Sequence, residues 1–318
     1  MTPRVSVIVC TYNAKDDLKH CLRSLEVQTY KDFEVTVIND ASTDLTAEFL
    51  NEYQASSSLQ MRVVANETNL GVAGSRNAGI RHASGEIIAF TDADCTLNPA
   101  WISELIKGFE QPAVAAVGGK ILDHRTENIW ELTNKGHNYV ASDAGYVTYI
   151  QGCNMSFLNS VLKQYMFNDE LKYGYEEKLL CDLLIKTGYK IYYNPNALVY
   201  HKHRSTLKAL VRQKYLRGFS SIWYRKKQNK FFMLKRHFIL LLALCLLPFI
   251  LVYKVIFSFF SCLFTIVLMS ILRDEVLYRA KNLTEIILTF PFLLFVEFAH
   301  FFGSLVGLLK FRLFCSTT

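Results

Sequence analysis

An α/β domain followed by an α-helical membrane region is the fold class that the sequence predicts. Short β-branched runs alternate with amphipathic stretches up to about residue 90, a basic block follows near residue 202, and two long apolar runs lie after it. The chain has 318 residues, more than one typical domain of roughly 100 to 200 residues. We therefore expect three regions, at 1–205, 206–236 and 237–318.

The elements of the first region alternate between strand and helix. We predict strands at Val5–Cys10, Glu34–Asn39, Gln60–Ala65 and Glu86–Thr91, and helices at Asp16–Thr29, Asp44–Ser56 and Gly71–Ala83. Strands that alternate with helices form βαβ units, and these build a mostly parallel sheet. Ligands of open parallel sheets bind at the carboxyl ends of the strands, so the residues after each strand are the first candidates for a site.

The rest of the first region has a less regular pattern. The stretch Lys120–Ile150 shows no clear periodicity, but an amphipathic helix is expected over Glu176–Thr187 and a strand near Lys190–Tyr193. We expect the domain to end near residue 205 and the basic stretch 206–236 to form helices at a membrane interface.

Two apolar runs predict membrane spans. The run 238–272 has a single charge, Lys254, and the run 286–309 has a single acid, Glu297. A helix needs about 20 apolar residues to cross roughly 30 Å of hydrocarbon, so the second run makes one span. The first run is too long for one upright helix. It forms either two short segments meeting near Lys254 or one tilted span kinked at Pro248.

Charge is distributed unevenly along the chain. The segment Lys202–Arg236 holds twelve Lys or Arg and no Asp or Glu, whereas the whole chain has a net charge of +7, so the remainder is −5 (7 minus 12). A basic flank before an apolar span is typical of the cytosolic side and attracts anionic headgroups. Nucleic acid is not expected as a partner, because no nucleic-acid-binding module is recognisable.

The first domain is expected to lie on the cytosolic face of a membrane. Its early apolar stretch, Val5–Cys10, is shorter than the roughly 7 to 15 residues of a signal-peptide core. Eight cysteines without a CxxC pair fit a reducing compartment. We interpret them as small buried apolar residues.

Polar clusters follow three of the predicted strands: Thr11–Asn13, Asn39–Asp40 and Asp92–Asp94. The two carboxylates of the last cluster are hard oxygen donors that suit Mg²⁺ or Mn²⁺, and such a metal neutralises a departing diphosphate. An Asp-x-Asp sequence is also common in surface turns, so the motif alone leaves both interpretations open.

Two further acidic positions also allow two interpretations each. Asp40 precedes Ser42 and Thr43, which could cap the next helix by accepting from its first amides. Glu176 and Glu177 could be a solvated helix start favoured by the helix dipole. Alternatively, Glu177 is a general base that removes a proton from an acceptor hydroxyl.

Taken together, these motifs resemble the family 2 glycosyltransferases of GT-A fold over nearly all of residues 3–205. The matching stretches are VSVIVCTYNAKDDLKHCLRSLEVQTYKDFEVTVINDASTD, NLGVAGSRNAGI, GEIIAFTDADC, GCNMSF and YEEKLLCDLLIKTGYKIYYNPNALVYH. The resemblance implies a nucleotide-sugar pocket lined by Thr11, Tyr12, Asn13, Asp40 and Arg76. It also implies that Asp92 lies near the ribose and diphosphate.

The resemblance also implies a metal site and a base. Mn²⁺ or Mg²⁺ would be held by Asp94 with Asp92, and His201 stands where many GT-A enzymes have a histidine near the metal. Glu177 stands where the family usually has an aspartate base, next to Glu176. One base opposite the donor implies a single displacement with inversion at the anomeric carbon.

The expected function is transfer of a sugar, most plausibly from a UDP-sugar, to a membrane lipid-linked acceptor. That acceptor is a polyprenyl phosphate or a lipid-linked oligosaccharide in cell-envelope polysaccharide or glycan synthesis. Its phosphates could meet Arg204, Arg212, Lys214 and Arg217, although contact with a lipid surface explains these residues equally well.

Other functions fit the sequence less well. A processive polysaccharide synthase is expected to carry a Gln-x-x-Arg-Trp motif, which the stretch Gln213–Gly218 does not match. A nucleotidyltransferase is expected to have a Gly-rich phosphate loop after its first strand. A non-catalytic transporter or membrane scaffold would explain the apolar runs but not the four acids Asp40, Asp92, Asp94 and Glu177.

Overall fold

The computed structural model describes most of the chain up to residue 228 and a short helical segment near its carboxyl end. The described residues are 4–124, 128–134, 141–228, 296 and 298–307. The chain divides into two compact units. The first comprises Met1–Arg125 and Asn138–His203, and the second comprises Thr126–His137 and Arg204–Thr318. The limits 1–205, 206–236 and 237–318 stay a prediction.

The first unit is built on one mixed sheet. Its strands are β1 (Val5–Thr11), β2 (Phe33–Asn39), β3 (Met61–Ala65), β4 (Ile87–Asp92), β5 (Cys95–Leu97), β6 (Val114–Asp123), β7 (Gly145–Val147), β8 (Met155–Leu158) and β9 (Lys190–His201). The helices of the chain are α1 (Lys15–Glu26), α2 (Thr46–Ser56), α3 (Gly71–His82), α4 (Trp101–Gly108), α5 (Ile129–Asn134), α6 (Asn159–Gln164), α7 (Glu176–Lys186) and α8 (Leu207–Lys227). The strand order is β3-β2-β1-β4-β8-β6-β9-β5, and β7 pairs with β9.

The first half of the sheet is parallel, as the alternation of strands and helices predicts. β1 pairs in parallel with β2 and β4, and β2 pairs in parallel with β3. The register sets Thr11 opposite Asn39 and Cys10 opposite Asp92. The polar residues that end these three strands therefore share one edge of the sheet.

The second half of the sheet contains antiparallel strands that the sequence did not indicate. β8 lies between β4 and β6 and is antiparallel to both. The strand expected near Lys190–Tyr193 begins at Lys190 but continues to His201, parallel to β6 and antiparallel to β5 and β7. Its last residue, His201, lies directly opposite Cys95 of β5.

The sheet is buried on both faces because successive side chains of a strand point to opposite sides. In β1, Val5, Val7 and Val9 belong to one apolar cluster, which α1, α2 and α4 complete. Ile8 belongs to a second cluster, to which α3, α6 and α7 contribute. The near-continuous apolar character of β1 thus follows from its position inside a two-sided core.

Helix α1 shows how the sequence directs this packing. Leu18, Cys21, Leu22 and Leu25 follow the i, i+3, i+4, i+7 spacing of one helix face, and all four are fully buried. Burying one leucine side chain contributes roughly 1.5 to 3 kcal/mol. The remaining face carries Lys and Asp residues, so the helix has one stable orientation on the sheet.

The second unit contains α5, α8 and the described helical residues 298–307. The Thr206 side chain caps α8 by accepting a hydrogen bond from the amide of Ala209. α8 contacts the helical segment closely at Gly218, where an added Cβ would lie 2.0 Å from the carbonyl oxygen of His300. The hydroxyl of Ser304 donates to the Gly218 carbonyl at 3.0 Å. Glycine at position 218 therefore permits the close approach of two helix backbones.

The predicted membrane spans fall largely outside the described residues. The run 238–272 lies entirely outside them, and 286–309 is described only at residues 296 and 298–307. Among the helices that the structure describes, none combines the length and the apolar character needed to cross a bilayer.

Candidate active site

Two loops at the carboxyl edge of the sheet are joined by hydrogen bonds. The Asn13 amide donates to the Ser42 hydroxyl at 3.0 Å, and the Thr43 amide donates to the Asn13 side chain at 2.7 Å. Asn13 adopts φ 50°, a left-handed conformation that asparagine tolerates better than most residues. The capping role considered for Ser42 and Thr43 is wrong, because both residues bind Asn13 and α2 begins later, at Thr46.

Asp40 is buried and organises the start of α3. One carboxylate oxygen accepts from the amide of Leu70 at 2.8 Å, and the other accepts from the amide of Gly71 at 3.0 Å. The side chain of Asn66 donates to the same carboxylate at 2.8 Å. A carboxylate at a helix N-terminus satisfies free amides and interacts favourably with the helix dipole. Asp40 thus fixes the loop before α3, and its predicted contact with a nucleotide base stays a prediction.

Thr11 and Tyr12 lie at the same edge of the sheet. The Thr11 hydroxyl is buried and has no hydrogen-bond partner among the described residues. The Tyr12 side chain is 44% exposed. A buried polar atom without a partner is costly, so the Thr11 hydroxyl is a candidate to receive a hydrogen bond from a ligand.

Arg76 is the buried centre of an ion cluster. Its guanidinium donates to Asp92 at 3.1 Å, to the carbonyl of Gly152 at 3.0 Å, and closely to Glu176. The rings of Phe90 and Phe167 lie 6.0 and 5.8 Å from the guanidinium carbon. Arg76 was predicted to line the nucleotide pocket, but the structure places its side chain in the interior, joined to two carboxylates.

The charges around Arg76 affect one another. Burial lowers the pKa of Arg76, but the carboxylates of Glu176 and Asp92 outweigh it and raise that pKa overall. Burial and then the neighbouring Glu177 raise the pKa of Glu176, against the opposing effect of Arg76. The guanidinium therefore stays charged and holds Asp92 and Glu176 in fixed positions.

The two aspartates of the Asp-x-Asp sequence have different surroundings. Asp92 pairs with Arg76. Asp94 instead lies 3.5 Å from His201 Nε2 and 3.9 Å from the Cys95 thiol. One ligand atom from each of Asp94, Cys95 and His201 lies within 4.8 Å of the others, the spacing of a possible metal site. Asp92, also predicted as a metal ligand, does not belong to this group.

The donor atoms of this group fit a divalent cation. A carboxylate oxygen and an imidazole nitrogen are common ligands of Mn²⁺ and related metals. Sequence analysis interpreted Cys95 only as a small apolar residue. Its position directly after Asp94 was visible in the sequence, but its pairing with His201 depends on the antiparallel contact of β5 with β9.

Glu176 and Glu177 begin α7 but have different roles. Tyr175, at φ 73°, turns the chain into the helix so that Glu176 points into the interior toward Arg76. One oxygen of Glu177 accepts from the Tyr149 hydroxyl at 2.8 Å. The other oxygen has no hydrogen-bond partner among the described residues. Glu177 is thus the carboxylate of this pair that is placed to accept a proton.

Two residues next to the cation site were not predicted. His203 Nε2 lies 2.6 Å from a carboxylate oxygen of Asp123, and its ring contacts the His201 ring with centroids 5.1 Å apart. The His-Lys-His sequence indicated that two histidines project on the same side of an extended chain. Asp123 could not be located, because it ends β6 in the stretch where the sequence pattern was weak.

The basic residues proposed for an acceptor phosphate lie in the second unit. Arg212 and Arg217 both lie on α8, and Arg204 precedes it. Lys214, also on α8, is buried. Lys214 is therefore unsuited to an exposed phosphate contact, whereas the roles of the three arginines stay predictions.

Comparison with known proteins adds three findings. A family model described as Glycosyl transferase family 2 matches residues 6–170. An uncharacterized glycosyltransferase of Haemophilus influenzae is 28% identical over 239 residues, which cover 66% of this chain and 73% of that protein. The glucosyl-dolichyl phosphate glucuronosyltransferase of Haloferax volcanii is 25% identical over 239 residues, which cover 68% and 76%. Six other relatives are matched over only 19% to 42% of their length.

A solved structure has the same fold. The mannosyltransferase PcManGT from Pyrobaculum calidifontis, in complex with GDP-Man and Mn²⁺, superimposes with a TM-score of 0.56 at 22% identity. The match covers 72% of this chain and 64% of that one. This likeness shows the mixed-sheet GT-A fold of the first unit.

Proposed function

The chain belongs to glycosyl transferase family 2 and is a glycosyltransferase, and from this premise we propose that it transfers a sugar from a nucleotide diphosphate sugar to a lipid-linked acceptor. The transfer inverts the configuration at the anomeric carbon. The catalytic domain works on the cytosolic face of a membrane, in cell-envelope polysaccharide or glycan synthesis.

The difference between Glu176 and Glu177 is the observation that carries the mechanism. Glu176 is held by Arg76, whereas Glu177 keeps one carboxylate oxygen without a partner among the described residues. In the proposed step, that oxygen takes the proton of an acceptor hydroxyl. The hydroxyl oxygen bonds to the anomeric carbon as the bond from that carbon to the diphosphate oxygen breaks. A single displacement of this kind inverts the sugar.

Asp94 and His201 are proposed to hold the divalent cation, Mn²⁺ or Mg²⁺. Both lie at the same edge of the sheet as the polar strand ends, and their ligand atoms are close together. When bound there, the cation supplies positive charge that stabilises the departing diphosphate. Asp92, fixed by Arg76, is proposed to bind near the ribose and diphosphate.

The nucleotide is proposed to bind between the loops that follow β1 and β2. The exposed ring of Tyr12 offers a surface for a base, and the Thr11 hydroxyl offers an acceptor for a ligand hydrogen bond. We propose uridine diphosphate as the carrier. Guanosine diphosphate is the competing carrier, because the similar Pyrobaculum structure contains GDP-Man.

A polyprenyl phosphate or a lipid-linked oligosaccharide is the proposed acceptor. The Haloferax relative is named for action on a glucosyl-dolichyl phosphate. In addition, α8 carries basic residues suited to an anionic headgroup, including Arg212 and Arg217. The apolar runs 238–272 and 286–309 would hold the enzyme beside a lipid substrate.

The test is sugar transfer by the full chain purified in detergent. A panel of UDP- and GDP-sugars is supplied with extracted polyprenyl lipids and Mn²⁺ or Mg²⁺. Glu177→Gln and Asp94→Ala are compared with the wild type and with Glu52→Gln, an exposed acid of α2 that serves as the control. We expect the first two variants to lose transfer and the control to keep it.

The product separates the parts of the proposal. Glycosylated lipid formed from one donor identifies the sugar, its carrier and the acceptor class. Nuclear magnetic resonance of the product linkage shows inversion or retention. Glu177→Gln activity equal to that of the wild type would refute the base assignment, and donor hydrolysis without lipid glycosylation would refute the lipid acceptor.

A further inference from the structure

The cation site of this chain contains a thiol. Antiparallel pairing of β5 with β9 sets Cys95 directly opposite His201, so that both side chains project from the same face of the sheet. Asp94 precedes Cys95, and its carboxylate lies 3.9 Å from the Cys95 sulfur. Three chemically different donor atoms, oxygen, nitrogen and sulfur, thus lie within 4.8 Å of one another.

The donor types determine which cations such a group prefers. Mg²⁺ binds through oxygen ligands and keeps much of its water, so a sulfur or nitrogen donor contributes little to its affinity. Zn²⁺ and Co²⁺ accept carboxylate, imidazole and thiolate together, and thiolate in particular selects for such metals. A site with all three donors therefore differs from one built of carboxylates alone.

We infer that Cys95 is the third protein ligand of this site and gives it a preference for Zn²⁺ and Co²⁺ over Mg²⁺. On binding, the S–H bond of Cys95 breaks, a metal–sulfur bond forms, and the proton passes to solvent. The inference rests on the proposed function only in taking Asp94 and His201 as the cation site. It extends that function by assigning this enzyme a thiophilic metal.

Neighbouring cysteines provide matched controls. The Cys95 and Cys153 thiols share a hydrogen bond, yet Cys153 does not belong to the three-donor group among the described residues. Cys181 is equally buried but lies in the apolar cluster on the opposite face of the sheet. If sulfur at position 95 matters only for packing, all three cysteines should tolerate serine with the same effect on metal binding.

The experiment is a titration of the metal-free full chain in detergent with Co²⁺, in the presence and absence of UDP and GDP. A bond from thiolate to cobalt produces an intense near-ultraviolet charge-transfer band, which carboxylate and imidazole ligands do not produce. We expect the band in the wild type, in Cys153→Ser and in Cys181→Ser, and its loss in Cys95→Ser. Circular dichroism checks that each variant is folded.

Affinity provides a second readout. Competition with Zn²⁺ should show Cys95→Ser weakened by at least about tenfold, the lower limit found when groups supporting a metal site are removed. Mg²⁺ affinity should stay nearly unchanged. If Cys95→Ser unfolds, Cys95→Ala is measured in its place, with the same expectation.

The outcomes distinguish the two proposals. If the wild type shows no band, or Cys95→Ser keeps it, Cys95 is not a ligand, and the proposed function stands as long as Asp94→Ala still abolishes transfer. If the band depends on Cys95 but no nucleotide sugar is used, the metal site is real and the proposed function is wrong. Loss of the band in Cys153→Ser but not in Cys95→Ser would also overturn the inference.

Discussion

Replacing Arg76 by methionine removes the guanidinium that joins two carboxylates in the interior. Methionine keeps a long unbranched side chain between Phe90 and Phe167 but donates no hydrogen bond. Glu176, whose side chain is 2% exposed, loses its counter-ion. Asp92, whose side chain is 35% exposed, remains in contact with water. The main cost should therefore come from Glu176.

The expected magnitude follows from these exposures. Removing one partner of a buried ion pair costs about 3 to 5 kcal/mol, because the remaining charge is buried without compensation. The partly exposed pair with Asp92 contributes at most about 1 kcal/mol. We therefore expect Arg76→Met to lower the free energy of unfolding by about 3 to 5 kcal/mol, a large share of the roughly 5 to 15 kcal/mol typical of a protein.

The assay is hydrogen exchange of the full chain at increasing urea, read by mass spectrometry on peptides from α3 and α7. This readout isolates the first unit, whereas tryptophan fluorescence mixes signals from Trp101 in the first unit with Trp223 in the second. The double variant Arg76→Met/Glu176→Gln removes the uncompensated charge. It should recover at least about 1 kcal/mol relative to Arg76→Met alone. Arg81→Met, an exposed arginine of the same helix, is the control and should change stability by less than about 0.5 kcal/mol.

Two results would refute this reasoning. A loss below about 1 kcal/mol in Arg76→Met would mean that the ion cluster does not stabilise the fold. A double variant no more stable than Arg76→Met would mean that the cost comes from packing between the phenylalanine rings and not from the charge of Glu176.

Three further predictions follow from the structure. Tyr149→Phe removes the hydrogen bond that orients Glu177, a bond to a charged group, so kcat should fall about tenfold with little change in KM. Hydrogen bonds from Ser6 and Ser84 outweigh burial and lower the pKa of Glu34 from 4.5, so stability should be lost as the pH falls below that value, and Glu34→Gln should lose less in an acid titration of thermal stability. Gly218→Ala should cost about 1 to 3 kcal/mol in urea unfolding of α8 peptides, because its Cβ would meet a backbone carbonyl.

Each of these predictions has a control and a contrary outcome. Tyr165→Phe tests a tyrosine whose hydroxyl contacts only Gln164 among the printed hydrogen bonds, and an equal fall in kcat there would remove the case for Tyr149. Identical acid profiles for the wild type and Glu34→Gln would show that other carboxylates dominate. Gly145→Ala, where an added Cβ meets nothing within 4 Å, should be neutral, and an equal effect at both glycines would contradict the packing argument.

The parallel half of the fold could be predicted because its signals are local. β1, β2, β3 and β4 are short apolar runs separated by amphipathic helices, and the polar residues that end them follow directly from that alternation. The antiparallel half depends on long-range pairing instead. β8 lies between β4 and β6 because of contacts with residues far away in sequence, and its four residues, Met155–Leu158, carry too little pattern to reveal this.

The same distinction applies to the site. The acids at 40, 92, 94, 176 and 177 could be recognised from their motifs, but their partners could not. Glu176 and Glu177 are adjacent and identical, and only the turn at Tyr175 directs one to Arg76 and the other to Tyr149. Cys95 was interpreted as an apolar residue because its pairing with His201 depends on the unexpected extension of β9.

The ion cluster around Arg76 also constrains how this sequence can evolve. Arginine is required for its planar fork of donors, since lysine offers a single point charge and cannot bond two carboxylates and a carbonyl in the same arrangement. An added Cβ at Gly152 would lie 2.7 Å from the guanidinium. Positions 76, 92, 152 and 176 therefore have to change together or not at all, so that a drifting lineage would pass through poorly folded intermediates unless several substitutions arose at once.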